Sequence, residues 1–270
     1  MAAGDVRILE GNPKQYKCAK FNGTSDYIKI IDNDKVSFGD GTTDSPFSIS
    51  AWINMNDATA FEIASKGVYN TDGEYRFTVG TVDKITLQIY DESVADCIIG
   101  RSYNTVLTTY EHQWIHVVTT YDGSATSDGI KIYVNDVRVD DAYSQLNQAN
   151  YIAMENLNAN LKIGMSASGY ANGFINNINI YNKALTQTEI TTLYNGGDMR
   201  DNLVGEWKLQ ENFNDTSGNG LNGETVGATI TTTDSNLSQA IKALPTGATD
   251  KNYFCHTEKG DMAVLNIEGA

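Results

Sequence analysis

Apolar residues recur at every second position through most of this chain, and a period of two commits it to β-strands. In Phe47-Ser48-Ile49-Ser50-Ala51-Trp52-Ile53 the residues Phe47, Ile49, Ala51 and Ile53 fall on one face, because successive side chains of an extended strand point to opposite sides. Lys84 to Tyr90 repeats the pattern with Ile85, Leu87 and Ile89. Between Gly129 and Val139, two strand-like runs flank Asn135-Asp136, residue types that tolerate the positive φ a type I′ hairpin requires. About a dozen such runs follow one another, separated by turns rich in Gly, Asn, Asp and Ser, and regular short strands of this kind predict a sandwich or barrel. The fold class expected is all-β: an antiparallel two-sheet jelly-roll sandwich with one short helix.

The helix is expected after Thr186. Thr186-Gln187-Thr188-Glu189 reads as a capping box, Ile190, Leu193 and Tyr194 form a small apolar stripe, and Gly196-Gly197 supplies the stop. It is expected to plug one edge of the core. Leu203, Gly205, Trp207 and Leu209 resume the alternation, whereas residues 231 to 249 are small and polar. The organisation expected is an N-terminal arm (1–15), a jelly-roll domain (16–229, with 203–229 as closing strands) and a C-terminal arm (230–270) with one or two strands. Trp52, Trp114 and Trp207 lie in strand patterns and are expected in one core.

Charge narrows the partners. With 19 Lys+Arg against 34 Asp+Glu, the net charge is −15, and no basic cluster exists to displace the counterions of a nucleic acid. Nucleic acid and membrane insertion are therefore not expected, and the acidity is read as a source of solubility. The three cysteines, Cys18, Cys97 and Cys255, have no zinc-like spacing and are expected as free thiols. The first residues lack the apolar stretch of an export signal.

Six stretches, in order, resemble the laminin-G-like (concanavalin-A-like) jelly-roll family: Phe21 to Ile28, Phe47 to Ile53, Ile63 to Gly67, Trp114 to Gly123, Ile132 to Asp136 and Ile180 to Thr186 with Glu189. The likeness covers roughly residues 16–229. Leu203 to Lys208 and Asp215 to Gly223 look like the family's opening strand and SGNG loop, here placed last. The resemblance implies one structural calcium, held by loop carbonyls and a carboxylate. The matching stretch carries Asn176 where the family commonly has Asp, which weakens or abolishes the site, and Asp26 is the second candidate ligand.

Catalysis is not expected. Glycosidases need paired carboxylates facing one groove, and no Glu-x-Asp-x-Glu strand occurs. Asp91, Glu92 and Asp96 are the nearest cluster and read as a solvated turn. His116 resembles a packed structural position. For sugar binding, Tyr69, Tyr103 and Tyr170 lie in loops beside small polar residues and are the candidates for stacking on sugar rings. Two functional readings result. One is a virion accessory protein, a phage capsid decoration or fibre component on the virion surface, whose partners are other virion proteins, copies of itself, or cell-surface and mucus glycans. The MAAGDVRILEG segment loosely resembles the N-termini of phage structural proteins. The alternative is a free, extracellular carbohydrate-binding module.

Overall fold

The computed structural model describes residues 16–233 and two strands near the C-terminus, Asn252–His256 and Met262–Asn266. The 1–15 arm, most of the 230–270 arm and the Cys255 side chain lie outside the described residues. The strands are β1 (Tyr16–Asn22), β2 (Tyr27–Ile30), β3 (Phe47–Met55), β4 (Phe61–Lys66), β5 (Tyr75–Val79), β6 (Ile85–Asp91), β7 (Cys97–Ser102), β8 (Trp114–Tyr121), β9 (Ile130–Val134) and β10 (Val137–Arg138). They continue with β11 (Ala142–Tyr143), β12 (Leu161–Ile163), β13 (Met165–Ser166), β14 (Gly169–Tyr170), β15 (Asn172–Tyr181), β16 (Leu203–Trp207), β17 (Gly223–Val226) and β18 (Thr229–Thr233). The two C-terminal strands, β19 and β20, pair antiparallel with each other.

Two eight-stranded antiparallel sheets form the sandwich that the alternation predicts. The first runs β10-β9-β8-β3-β15-β1-β18, with β16 also on β15; the second runs β11-β7-β6-β5-β4-β12-β2-β17. Asn135 and Asp136 take φ of 48° and 67° between β9 and β10, as the hairpin reading requires. Phe47, Ile49, Ala51 and Ile53 from one sheet meet Tyr75, Phe77, Leu87 and Ile89 from the other in a single buried core.

Trp207 is fully buried in that core and donates its indole N–H to the Leu221 carbonyl at 2.8 Å. Trp52 and Trp114 are not in it. They are half-buried on the opposite face of the first sheet, where Trp52 stacks on Tyr194 at 5.8 Å. Parity is the reason: Trp52 sits one residue out of step with Ile49, Ala51 and Ile53, so the strand turns it outward.

The helix α1 (Gln187–Tyr194) carries the full capping box at Thr186 and Glu189. It lies on the outer face of the first sheet rather than plugging an edge. There Leu185, Ile190 and Leu193 join Val118, Tyr133 and Tyr181 in a second, smaller core. Beside it His116 is buried, with Ser50 Oγ 2.8 Å from its Nε2, and burial drops its pKa to about 3.

Part of the acidity is structural: Glu62, Glu74, Asp91, Asp140 and Glu206 are buried. Residues 144–160 form a strap with little regular structure, and carboxylates hold it down. Asp44 accepts from Tyr121 and Tyr151 hydroxyls and from the Met154 N–H, at 2.6, 2.8 and 2.8 Å. Lys66, fully buried, reaches Asp32 and the Ala159 carbonyl at 2.6 and 2.7 Å and lies 2.9 Å from Glu74. Burial raises the Glu74 pKa, and Lys66 offsets only part of that rise. Solubility alone is therefore an incomplete reading of the composition. A strap without a ladder leaves backbone donors that must find acceptors, and carboxylates supply them.

Candidate functional site

The outer face of the second sheet carries side chains of the opposite parity to the core. Arg76 on β5 faces Gln88 on β6, and Tyr90 faces Ile98 on β7. Together they floor a cleft of about 220 Å³. One wall is the β4–β5 loop with Tyr69. Gly67 shapes that loop: its φ is +79°, and a Cβ there would lie 1.9 Å from the Asp72 carbonyl oxygen. The other wall is the β13–β14 turn, Ser166 to Ser168, tied to the sheet by Ser65 Oγ donating to the Met165 carbonyl at 2.7 Å.

Tyr69 is the half-exposed aromatic of this cleft and rests on buried Tyr90, ring centroids 5.1 Å apart. Its hydroxyl donates to Asp96 at 3.2 Å, and the Asn70 side chain donates to the same oxygen at 2.9 Å. Burial first, and the Asp96 charge second, raise the Tyr69 pKa, so it stays a neutral phenol. Arg76 grips buried Glu62 with two guanidinium nitrogens, Nε at 3.0 Å and one terminal nitrogen closer still. Burial alone would lower the Arg76 pKa, yet the ion pair more than reverses this. The floor thus offers fixed guanidinium, amide and hydroxyl groups beside an aromatic face.

The three tyrosines singled out in the sequence do not converge. Tyr69 lines this cleft, Tyr103 lines a separate groove with Arg101 and Arg138, and Tyr170 is half-buried on β14, whose turn forms the cleft wall. Sequence reading missed Glu62, Arg76 and Gln88. Charged residues at the off-core parity of neighbouring strands were the available signal.

Asp26 and Asn176 are not brought together either. Asp26 precedes β2 in the second sheet and lies against Gly227. Asn176 is mid-β15 in the first sheet and donates its amide N–H to the Lys17 carbonyl at 2.5 Å. Calcium takes six to eight oxygens at about 2.3–2.6 Å, so these two residues do not fit one shared calcium site. Among the described residues no group of three or more His, Cys, Asp or Glu is placed to hold a metal.

The acidic cluster near β6 is a solvated turn only in part: Asp96 is exposed in the turn, whereas Asp91 is buried at the end of the strand. Asp91 is buried and accepts from the Ile152 N–H at 2.8 Å and from Ser93 Oγ at 2.6 Å. Glu92 accepts from the Asn70 N–H at 2.9 Å. Each carboxylate is occupied in fixing a loop. Cys18 and Cys97 are free and buried, and burial lifts both thiols to about 11. No helix among the described residues is long and apolar enough to cross a membrane.

The family model for the concanavalin A-like lectin/glucanases superfamily matches residues 22–191, which contain all of this cleft. The chain belongs to that superfamily. Two solved structures share its general fold. A protein from Bacteroides ovatus assigned as carbohydrate binding shares 20% identity at a TM-score of 0.54, over 82% of this chain and 61% of that one. The heptameric SAP-like pentraxin of Limulus polyphemus shares 14% identity at a TM-score of 0.53, over 86% of this chain and 98% of that one. At such identities the likeness shows the fold alone. No curated protein matches the chain.

Proposed function

We propose that this chain is a non-catalytic carbohydrate-binding module, and that the cleft of Tyr69, Arg76 and Gln88 receives a sugar ring. The observation that carries the reading is the cleft itself: a half-exposed tyrosine supported from below by Tyr90, beside a guanidinium, an amide and serine hydroxyls. An aromatic face packs on the C–H face of a sugar, and fixed polar groups select its hydroxyls. At about 220 Å³ the cleft falls below the ~300 Å³ at which pockets for drug-sized ligands begin, so it suits one ring, such as a chain end. Membership of a superfamily of lectins and glucanases supports the same class of ligand.

The carboxylates speak against hydrolysis, since Glu62 is locked to Arg76 and Asp91, Glu92 and Asp96 hold loops. The free-module reading is preferred to the virion reading, whose main support is a segment outside the described residues. The test is a glycan array probed with the full chain and with Tyr69→Ala. Binding to a defined set of terminal sugars, reduced at least tenfold in the variant, is expected. An array without binding, or a variant that binds equally well, overturns the assignment. Sugar release that disappears on replacing Asp91, Glu92 or Asp96 overturns the non-catalytic part.

A further inference from the structure

A second groove, of about 510 Å³, opens where the edge of one sheet hands over to the edge of the other, between β10 and β11. It is lined by Arg101, Tyr103, Val137, Arg138 and Asp140, among others. Arg101 stands at the opposite parity to Ile98 on β7, opposite Leu87, so it faces the gap between the sheets and not the outer-face cleft.

Arg101 differs from every other described arginine. Arg76 is clamped to Glu62, Arg138 holds Asp140 at 2.7 and 2.9 Å, and Arg200 holds Asp198 and Glu206 at 2.9 and 3.0 Å. The Arg101 side chain is only 13% exposed, yet its nearest carboxylates, Asp128 and Asp140, lie 3.4 and 3.9 Å away. Good N–H···O bonds span about 2.7–3.2 Å. Its Nε is buried without a partner. The guanidinium is instead held in place by the Tyr143 ring, 4.4 Å from its centre, which leaves the planar fork ordered and its donors underused. The neighbouring carboxylates are already employed: Asp140 by Arg138, Asp141 by the Asn104 N–H at 2.6 Å, and Asp128 by the Tyr143 hydroxyl at 3.0 Å.

Nε itself is shielded from solvent, so the donors a ligand can meet are the terminal nitrogens, and the end of a guanidinium fork matches two oxygens of one carboxylate. Val137 is 62% exposed on the groove, and with the half-buried Tyr103 ring it offers apolar surface to the body of a ligand. The adjacent Asp140 and Asp141 disfavour a doubly charged group more than a singly charged one. We propose that this groove is a second glycan site, which takes a sugar bearing a carboxylate, with Arg101 as its fork. The proposal shares with the preceding reading only the class of ligand, and it uses none of the same residues.

The test uses the full chain, with the methyl glycosides of glucuronic acid and N-acetylneuraminic acid as probes and neutral methyl glucoside as control. Saturation-transfer NMR detects contact, and calorimetry gives the affinity. One or both acidic sugars are expected to bind at least tenfold more tightly than methyl glucoside, and the pair separates uronates from sialates. R101Q is expected to lose at least tenfold. R101K, which keeps charge and stem but not the fork, is expected to lose most of that affinity while keeping the wild-type Tm, so a folding defect in R101Q leaves the question decidable. Tyr69→Ala is expected to leave acidic-sugar binding unchanged. Equal binding of the neutral sugar, full affinity in R101K, or equal affinity for an acidic peptide overturns the proposal. Loss of binding in Tyr69→Ala overturns it as well, by moving the acidic sugar to the outer-face cleft.

Discussion

The two sheets bury alike inward-facing sides and carry unlike outer ones. On the first sheet the outer face presents Trp52, Val118, Tyr133 and Tyr181, and α1 closes over part of it with Leu185, Ile190 and Leu193. On the second it presents Glu62, Arg76, Thr78, Gln88 and Tyr90; Glu62, Thr78 and Tyr90 are buried, and a hairpin turn and a loop leave half-buried Arg76 and Gln88 open to a cleft. The same alternation produced both inner faces. What distinguishes the outer ones is whether an off-core residue is apolar, and so needs a cover, or polar, and so can meet a ligand. The sheet face left to polar residues is the one with a cleft.

The comparison is sharpest where the polar face carries stability. Glu62 is fully buried against Arg76, so Arg76→Leu strands a carboxylate, and removing one partner of a buried pair costs about 3–5 kcal/mol. Urea denaturation at neutral pH should show that loss. Replacing both, as Glu62→Leu with Arg76→Met, should recover most of it, because apolar side chains of similar volume often substitute for buried pairs at little cost. A single variant as stable as wild type would mean the polar face is held by something other than this pair. On the covered face, Ile190→Ala should cost about 2–4 kcal/mol through the cavity it leaves. A loss under about 1 kcal/mol would show α1 to be an ornament on the sheet.

Acid should separate the faces by a different route. His116 lies beneath α1 with its pKa lowered from 6.5 to about 3 by burial. A depressed native pKa gives stability that is present above the unfolded value and lost as pH falls through the folded one. The window is therefore pH 6.5 down to about 3. Well inside it each unit removes about 1.4 kcal/mol, and the first part, near the unfolded pKa, removes less, so the step from pH 6.5 to 4.5 should cost roughly 2 kcal/mol. Asp44 and Glu74 oppose the trend, since burial raises both and raised acids favour the native state at low pH. Comparing wild type with His116→Gln isolates the histidine. Equal slopes in the two proteins would place the acid sensitivity elsewhere.

The sequence carried the sandwich openly and the site only in part. Period two, the Asn135-Asp136 turn and the Thr186 capping box are local signals, and each element formed where those residues stand. The tryptophans were misread: Trp52 was expected in the core, although its parity with Ile49 and Ile53 already turned it outward. The cleft was harder to see. Glu62 and Arg76 meet across fourteen residues of chain, as a diagonal pair: Arg76 stands opposite Ser65 and Glu62 opposite Thr78, with a register shift between Glu62 and Ala64. The strap from 144 to 160 has no period to read, and its carboxylate anchors are contacts between distant segments. Tyr69 was found by composition. Tyr103 was found by the same rule and belongs to a different groove, because loop composition does not say which loops are neighbours.

The smallest expected stability effect is also the most informative about ligand binding. Gln88 is half-buried on the cleft floor, and its amide makes only long contacts, 3.3 Å to Ser144 Oγ and 3.5 Å from the Tyr90 hydroxyl. A residue with no short hydrogen bond gives little up on truncation, so Gln88→Ala should change unfolding free energy by less than about 0.5 kcal/mol. The same amide is free to serve a sugar hydroxyl, and a net hydrogen bond contributes about 0.5–1.5 kcal/mol, which is roughly two- to tenfold in affinity. Calorimetry with the best array sugar should show that loss at unchanged Tm. If Gln88→Ala instead lowers Tm by several degrees and leaves affinity alone, the polar residues of the second sheet serve folding as α1 serves the first, and the two outer faces differ in chemistry but not in role.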